Sequence, residues 1–494
     1  MGEARRRGNR SERIDKMRQE FGVKAISEAR FNAYVSWSRL PPARMISTEL
    51  EWYADQNERV LGVVSVDHTD RDFAFVALGR DEKGRFRTVD VETSFSSLGD
   101  ARRKLFHALQ KLSSSGDETF PQGGADRGGV DLFAPVHGEE KLHKAFKLVA
   151  EHPSWSPAKA ILSEMMNHYV DVDGNFVEQF QSEGFDSRLW ELYLYAFLLE
   201  EGLYVERPDP APDFVVRLGR KKVFIEAVTV NPTDGEKPPT EEHGVVVRSQ
   251  EEIAKLLEGK MPIKFGSALY SKLNRKTPYW TLPDVANHPL IFAIADFHEP
   301  QSMMWSSSAL FRYLYGVSHD FSKDEHGQLL ISSLKIEKHQ HNGKEIPSGF
   351  FFLPNAENVS AVLFSSTGTL SKFNRMGRLA GFGVPNIIMT RYGLYHDHDP
   401  NAALPKPFVR TIMEGQTTET WAEGMSMFHN PNAKHPVDPD LFPGIAHHWF
   451  EEGLIKSTIP PFHPYSSMTM NVLVTDKEED LADKEGTSVT PPIE

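Results

Sequence analysis

The sequence contains no cysteine among its 494 residues. Disulfide bonds, cysteine zinc sites, iron–sulfur clusters and thiol nucleophiles are therefore excluded from its structure and chemistry. Any metal ion that the chain binds must have oxygen or imidazole ligands. The candidate metal ligands are therefore its carboxylates and histidines.

Long hydrophobic runs are also lacking. The longest apolar stretches lie at residues 192–199 and 290–295, and both are far shorter than the roughly 18 residues that span a bilayer. The basic N-terminal segment is not followed by the apolar core that a secretory signal requires. We therefore expect a cytoplasmic protein with no membrane segment.

An excess of positive charge is the third absence. The chain has 55 Lys and Arg residues against 69 Asp and Glu residues, which gives a net charge of −14. Because affinity for phosphates comes from clustered Lys and Arg, this balance argues against wholesale coating of nucleic acid but permits a local basic patch. The content of hydrophobic residues, 39%, is typical of a soluble globular chain with a sizeable core.

Changes in composition divide the chain into segments. Its length predicts two to four domains at about 100–200 residues per domain. Residues 113–130, with three consecutive serines and two Gly–Gly pairs, are typical of a linker. The predicted segments are a basic arm with a helical lead-in (1–45), a small α+β module (46–115), a linker (116–140), a core of α/β character (141–300), a C-terminal α+β extension (301–474) and an acidic tail (475–494).

The small α+β module is predicted to be a β-meander followed by a helix. Residues 60–66, 73–78 and 85–91 alternate or run apolar between turn-rich stretches, as strands do. An amphipathic helix is predicted over 101–112, with Asp100 as its N-cap.

The core contains an apolar helix with a carboxylate on its buried face. Residues 189–199 are predicted to be helical, and Glu191 shares the apolar face with Leu194 and Tyr195. A carboxylate there must be paired, protonated or metal-bound, because an unpaired buried charge is too costly. An ion pair with Arg188, or a position at the helix edge, is the alternative to a functional role.

A strand hairpin follows this helix. Residues 214–218 and 223–230 are β-rich runs, and the Gly219–Arg220 pair between them suits a type II′ turn. If Leu218 pairs with Lys221 across that turn, the register of the whole hairpin is fixed.

This register predicts that two carboxylates face each other. Asp213 lies directly opposite Glu226, with their Cβ atoms about 4.5–5.5 Å apart. Glu226 also shares its strand face with Phe224 and Val228, so we expect it to be partly desolvated. Because like charges at that distance repel, we expect a divalent cation between them, and hard oxygen ligands favour magnesium or manganese. A slipped register and a shared proton are the alternatives.

The next predicted helix supplies positive charge. It begins at Pro262, a favourable first helical position. Lys272 lies within its apolar stripe, because it follows Ala268 by four residues and Leu269 by three. A solvated helix along which Lys272 snorkels to water is the alternative.

Basic and aromatic residues are concentrated around this helix. The region 248–276 contains seven basic and three acidic residues, a net charge of +4, and Tyr270, Tyr279 and Trp280 lie within it or just after it. Positive charge beside aromatic faces suits a strand of nucleic acid.

These residues together resemble a known family. A helix that carries Glu191, then Pro212-Asp213-Phe214 before one strand and Ile225-Glu226-Ala227-Val228 in the next, resembles the PD-(D/E)XK nuclease superfamily, which has the restriction-endonuclease-like fold. The resemblance covers residues 187–300. It implies a mixed sheet flanked by helices in the order αβββαβ, and phosphodiester hydrolysis with bound magnesium. It further implies that Asp213 and Glu226 are the metal ligands and that Glu191 is the helical acid.

The chain departs from the family pattern at one position. The family's lysine belongs two residues after the second acid, where this chain has Val228. Lys272 is the expected replacement, since a lysine on the following helix can reach the same site. Lys222 is the weaker substitute, because four residues from Glu226 is about 13 Å along a strand.

Other polar clusters are predicted to be loops or turns. The run His396 to Asp399 precedes a proline and has no regular element to fix it as a metal site. Residues 366–372 lack the first glycine and the Gly-Lys-Ser/Thr ending of a phosphate loop. Asp67, with the other aspartates of 67–72, is explained by turn chemistry.

The sequence thus predicts a metal-dependent endonuclease that acts on DNA or RNA with Mg²⁺ or Mn²⁺. A catalytically inactive scaffold of the same fold, binding nucleic acid or a protein partner, is the alternative. Val228 favours that alternative, and the presence of all three acids opposes it. A third interpretation, a non-nuclease α/β protein, requires the hairpin register to be wrong. No membrane partner is expected, and assembly into a homo-oligomer is left open.

Overall fold

Three large sheets, of five, eight and four strands, are flanked by helices, so the predicted α/β class is confirmed. Residues 1–9 of the basic arm and most of the acidic tail lie outside the described residues. The computed structural model describes residues 10–123, 129–208, 212–233, 235–236, 241–242, 245–246, 248–474 and 489–490.

The N-terminal sheet is an antiparallel meander with the strand order β1-β2-β3-β4-β5. Its strands are β1 (Val23–Ala25), β2 (Ser47–Asp55), β3 (Val60–Asp67), β4 (Phe73–Arg80) and β5 (Phe86–Phe95). The helices of this part are α1 (Arg10–Phe21), α2 (Glu28–Val35), α3 (Pro41–Ile46) and α4 (Leu98–Ser114).

Helix α4 covers one face of the meander, as the sequence predicted. The sheet approaches it so closely at Gly62 that a Cβ atom there would lie 2.4 Å from Leu105 Cδ1. The prediction that Asp100 is the N-cap is wrong, because the helix begins at Leu98 and Ser97 is its N-cap. The Ser97 side chain accepts a hydrogen bond from the Asp100 amide. Asp100 instead lies in the first turn, where its charge favours the helix dipole.

The central sheet contains eight strands in the order β21-β20-β19-β16-β11-β8-β7-β6. Strands β8, β11 and β16 are parallel, whereas β6, β7 and β8 form an antiparallel meander. The strands are β6 (Tyr204–Glu206), β7 (Phe214–Leu218), β8 (Lys221–Val230), β11 (Leu290–Asp296), β16 (Ala361–Ser365), β19 (Met425–His429), β20 (Ala446–Glu451) and β21 (Leu454–Thr458).

Helices cover both faces of this sheet. On one side lie α5 (Lys144–Glu151), α6 (Ser156–Met166), α7 (Phe176–Gln181) and α8 (Phe185–Glu200). On the other side, α9 (Gln250–Lys255) continues through a π-helical segment, Leu256–Lys260, into α10 (Met261–Leu273).

Alternation along the hairpin strands assigns their side chains to these two layers. Val223 and Ile225 pack in the core beneath α8. Phe224 and Val228 pack in the core beneath α10. From α8 to β11 the elements of the central sheet and its helices follow the order α-β-β-β-α-β, if α9 and α10 count as one interrupted helix and the short β9–β10 pair is left out. The candidate hairpin lies between the two helical layers.

The remaining elements surround this core. They are α11 (Ser307–Tyr315), α12 (Leu370–Leu379), the short pair β9 (Glu241–Glu242) and β10 (Val245–Val246), the hairpins β12 (Val317–Lys323) with β13 (Leu329–Lys335) and β14 (Lys338–His341) with β15 (Lys344–Pro347), and the four-stranded sheet of β17 (Ile387–Tyr395), β18 (Lys406–Thr411), β22 (Pro464–Leu473) and β23 (Val489–Thr490). None of the helices in the described part of the chain has both the length and the apolar character needed to cross a membrane.

Two predicted segment boundaries divide sheets that the structure shows to be continuous. Strand β1 lies in the predicted lead-in (1–45) but pairs with β2 of the meander. Strand β16 and the three strands after it in the central sheet lie in the predicted extension (301–474), yet β16 pairs along β11. The boundary at residue 300 is therefore wrong, because β11 is buried on both faces and needs partners on both edges.

Candidate functional site

The β7–β8 hairpin has the register that the sequence predicts. Leu218 pairs with Lys221, and Phe214 pairs with Ile225 at the other end of the ladder. Gly219 adopts a φ of 59° at the first turn position, which a type II′ turn requires. The register expectation is confirmed.

Asp213 lies immediately before β7, at the end of the ladder that Glu226 occupies. Its carboxylate accepts a hydrogen bond from the Ala227 amide, with an N···O distance of 2.7 Å. Glu226 is 5% exposed, and both side chains line one cavity. The hairpin therefore brings the two predicted acids together at one site.

Lys272 reaches this site from α10. Its Nζ atom donates to Glu226 Oε1 at 2.6 Å, although the sequence left open a lysine that snorkels to water. Lys222, in contrast, donates to the Asp284 carbonyl and has no contact with Glu226. Of the two lysines considered in place of the family's lysine, the structure brings Lys272 to the acids.

Two further residues, whose place at the site the sequence did not reveal, complete this side of the cavity. Tyr279 is 3% exposed, and its side chain lines the cavity beside Glu226. The Arg275 guanidinium lies over the Tyr279 ring, 4.0 Å from its centroid. Because α10 ends at Leu273, Arg275 lies outside the helix, and no helical spacing links it to Lys272.

Burial and like charge act together on the ionisation of the site. Burial, followed by the negative charges of Glu226 and Glu191, raises the pKa of Asp213 to about 7. The Ala227 amide and Lys272 oppose this rise. Burial and the charge of Glu226 also raise the pKa of Tyr279, so its hydroxyl stays protonated. Asp213 therefore exchanges a proton near neutral pH when no cation is bound.

Glu191 is held by cations rather than aimed into the cavity. Its carboxylate oxygens accept hydrogen bonds from Arg188 Nη1 at 2.7 Å and from Arg207 Nη2 at 2.7 Å. Tyr169 adds a third bond at 3.1 Å. This is the ion-pair alternative that the sequence allowed, extended by a second arginine. Its influence on Asp213 is the electrostatic one described above.

The cavity has a volume of about 470 Å³ and carries both signs of charge. Its charged lining includes Asp213, Glu226, Lys272, Arg275 and Arg207. Within the described residues, no three or more His, Asp or Glu side chains are grouped as metal ligands. The pair Asp213 and Glu226 still fits a hard divalent ion, because Mg²⁺ is commonly bound through one or two carboxylates and keeps several waters.

The predicted basic region is largely neutralised by its neighbours. Arg248 pairs with Glu299, Lys255 with Glu251 and Lys260 with Glu236, whereas Lys264 donates to the Asn231 carbonyl and the Thr233 hydroxyl. The net charge of +4 therefore does not form an open basic surface. The cationic groups that remain near the acids come from the end of α10 and the residues after it.

The other polar clusters form local contacts outside this cavity. The run His396 to Asp399 is a loop after β17, in which Asp397 pairs with Lys406. Lys372, at the end of the segment that resembles a phosphate loop, is buried against Glu419 with an N···O distance of 2.6 Å. The Asp67 carboxylate accepts hydrogen bonds from the backbone amides of the turn that follows it.

Comparisons with known proteins give no relative from which a role could be transferred. No family model matches the chain, and neither a curated protein nor a solved structure matches it significantly. The functional conclusion therefore rests on the chemistry of the cavity.

Proposed function

We propose that this protein is a metal-dependent nuclease that hydrolyses phosphodiester bonds of DNA or RNA. The observation that carries this proposal is the meeting of Asp213, Glu226 and Lys272 in one cavity at the end of a β-hairpin. The order α-β-β-β-α-β around the hairpin supports a restriction-endonuclease-like core, as the resemblance to the PD-(D/E)XK superfamily implies.

The residues of the site divide the chemical work among them. Asp213 and Glu226 would hold the divalent ion, which when bound polarises a phosphoryl oxygen and lowers the pKa of water. The Ala227 amide orients Asp213, and Lys272 orients Glu226. Lys272 holds a positive charge beside Glu226, where it stabilises the negative charge that develops on the phosphoryl group.

An inactive scaffold that binds nucleic acid is the second candidate. The observation in its favour is that Lys272 already neutralises Glu226 at 2.6 Å, while Val228 occupies the position of the family's lysine. A scaffold of this kind would bind nucleic acid and leave it intact with every metal ion.

Cleavage assays distinguish these two candidates. Wild-type protein, Asp213→Asn and Glu226→Gln are incubated with plasmid DNA, single-stranded DNA and RNA, each with Mg²⁺, Mn²⁺ or EDTA. We expect cleavage by wild type with metal only, reduced by about 100-fold or more in each variant. Glu206→Gln is the matched control, because Glu206 is an exposed carboxylate on the neighbouring strand β6. Cleavage that survives in both variants, or no cleavage of any substrate by wild type, would overturn the proposal.

A further inference from the structure

We propose that Arg275, held against Tyr279, forms a binding subsite for a backbone phosphate of the nucleic acid, beside the two acids. This inference rests on the proposed function, since it assigns a substrate contact within the same cavity. The ligand is a phosphodiester. Its non-bridging oxygens can accept two parallel hydrogen bonds from the N–H groups of a guanidinium.

The first argument is the state of the cations that line the cavity. Lys272 is paired with Glu226, and Arg207 is paired with Glu191 and bonds the Val170 carbonyl. Arg275 has no hydrogen bond or ion pair to any residue that the structure describes, and its guanidinium lies over the ring of Tyr279. Of the three, it is therefore the cation that is not already paired with an acid.

The second argument is the rigidity of its support. The guanidinium lies 4.0 Å from the centroid of Tyr279, a distance at which cation–π attraction is effective. Tyr279 is buried and lines the same cavity as Glu226, so its ring is a fixed surface beside the acid. A guanidinium that packs over an aromatic face keeps the N–H groups on its edge available for an anion.

The third argument is charge balance across the cavity. A phosphate that approaches Asp213 and Glu226 is repelled by both carboxylates unless cations face it. Lys272 forms an ion pair with Glu226, so its positive charge is partly neutralised before substrate binds. Arg275 supplies the additional positive charge on the same side of the cavity, and no bond is made or broken at this residue.

Binding and cleavage by substitution variants test the subsite separately from hydrolysis. Affinity for a fluorescein-labelled single-stranded DNA of about 20 nucleotides is measured in EDTA by anisotropy at several salt concentrations. Arg275→Ala should weaken binding about 10-fold and reduce the salt slope by about 1. Arg275→Lys, which keeps the charge and loses the planar fork, should recover part of the affinity. Lys276→Ala is the matched control, since it removes the same charge from the adjacent residue, which does not line the cavity.

The outcomes separate the subsite from the proposed function. If wild type binds but does not cleave, and Arg275→Ala alone weakens binding, the subsite stands and the nuclease assignment fails. If Arg275→Ala binds as Lys276→Ala does, the subsite is overturned, whether or not wild type cleaves. Failure of wild type to bind the DNA also overturns it. Thermal unfolding that matches wild type in both arginine variants shows that a loss of binding is not a loss of fold.

Discussion

At the scale of single residues, the site is defined by two carboxylates whose surroundings differ. Glu226 accepts a hydrogen bond from the cationic Lys272, and the buried Tyr279 lines the cavity beside it. Asp213 has one amide donor and faces the charge of Glu226, and burial further raises its pKa to about 7. The residue that gains most from a bound cation is therefore Asp213.

The raised pKa of Asp213 predicts how stability depends on pH without metal. Its folded pKa of about 7 is above its unfolded value, so its stabilising contribution is full below about pH 4 and is lost as pH rises through 7. Asp213→Asn cannot ionise, so its free energy of unfolding relative to that of wild type should rise by about 3 kcal/mol between pH 4.5 and pH 8. Urea unfolding in EDTA at both pH values measures this, and an equal difference at the two would contradict it.

We expect Glu191 to contribute mainly to the stability of the fold, because both of its carboxylate oxygens are bonded to largely buried arginines. Glu191→Gln leaves Arg188 and Arg207 without their shared carboxylate and should cost about 3 kcal/mol in the free energy of unfolding. Glu206→Gln removes the acid of an exposed pair with Arg217 and should cost less than about 0.5 kcal/mol. Equal urea midpoints for Glu191→Gln and wild type would show that the buried pairs contribute little.

At the scale of elements, the β7–β8 hairpin positions both acids through its turn and its buried pairs. Strand β7 has the bounds that the sequence predicted, because its apolar run ends at the turn residues Gly219 and Arg220. The pairing of Asp213 with Glu226 was predictable for the same reason, since one turn fixed the whole register. Arg275 and Tyr279 were not, because a contact between a helix end and the turn after it leaves no periodic pattern.

The turn of this hairpin gives a prediction about conformation alone. Gly219 has a φ of 59°, and a Cβ atom there would meet nothing within 4 Å. Gly219→Ala should therefore cost about 1 kcal/mol through backbone strain and leave the register intact. Gly99→Ala is the matched control, because Gly99 lies in the first turn of α4 at an ordinary φ. This variant should be more stable than wild type, since alanine favours a helix more than glycine does. Urea unfolding of both variants is the measurement, and a stabilised Gly219→Ala would contradict this account.

At the scale of the whole molecule, the central sheet is assembled from distant parts of the chain. Strand β11 pairs with β8 on one edge and with β16 on the other, about seventy residues later. Local sequence patterns contain no information on which of these distant strands lies beside which. The predicted boundary at residue 300 failed for this reason, whereas the hairpin, whose partners are adjacent in sequence, was predicted correctly.

This assembly predicts that the nuclease-like segment does not fold by itself. A chain that ends at residue 300 leaves the β16 edge of β11 unpaired and exposes the buried run Leu290–Asp296. We expect it to aggregate or to lack a cooperative thermal transition, as size-exclusion chromatography and circular dichroism would show. A monomeric fragment with a cooperative transition would contradict the assignment of one continuous sheet.

The central claim is that Asp213 and Glu226 act as one divalent-ion site for phosphodiester hydrolysis. Cleavage of end-labelled DNA and RNA is measured against Mg²⁺ and Mn²⁺ concentration for wild type, Asp213→Asn, Glu226→Gln and the double variant. We predict metal-dependent cleavage by wild type only, with the double variant no more impaired than either single one, because residues that act as a unit are not additive. Cleavage by the double variant at the wild-type rate, or undiminished wild-type cleavage in EDTA, would contradict the account.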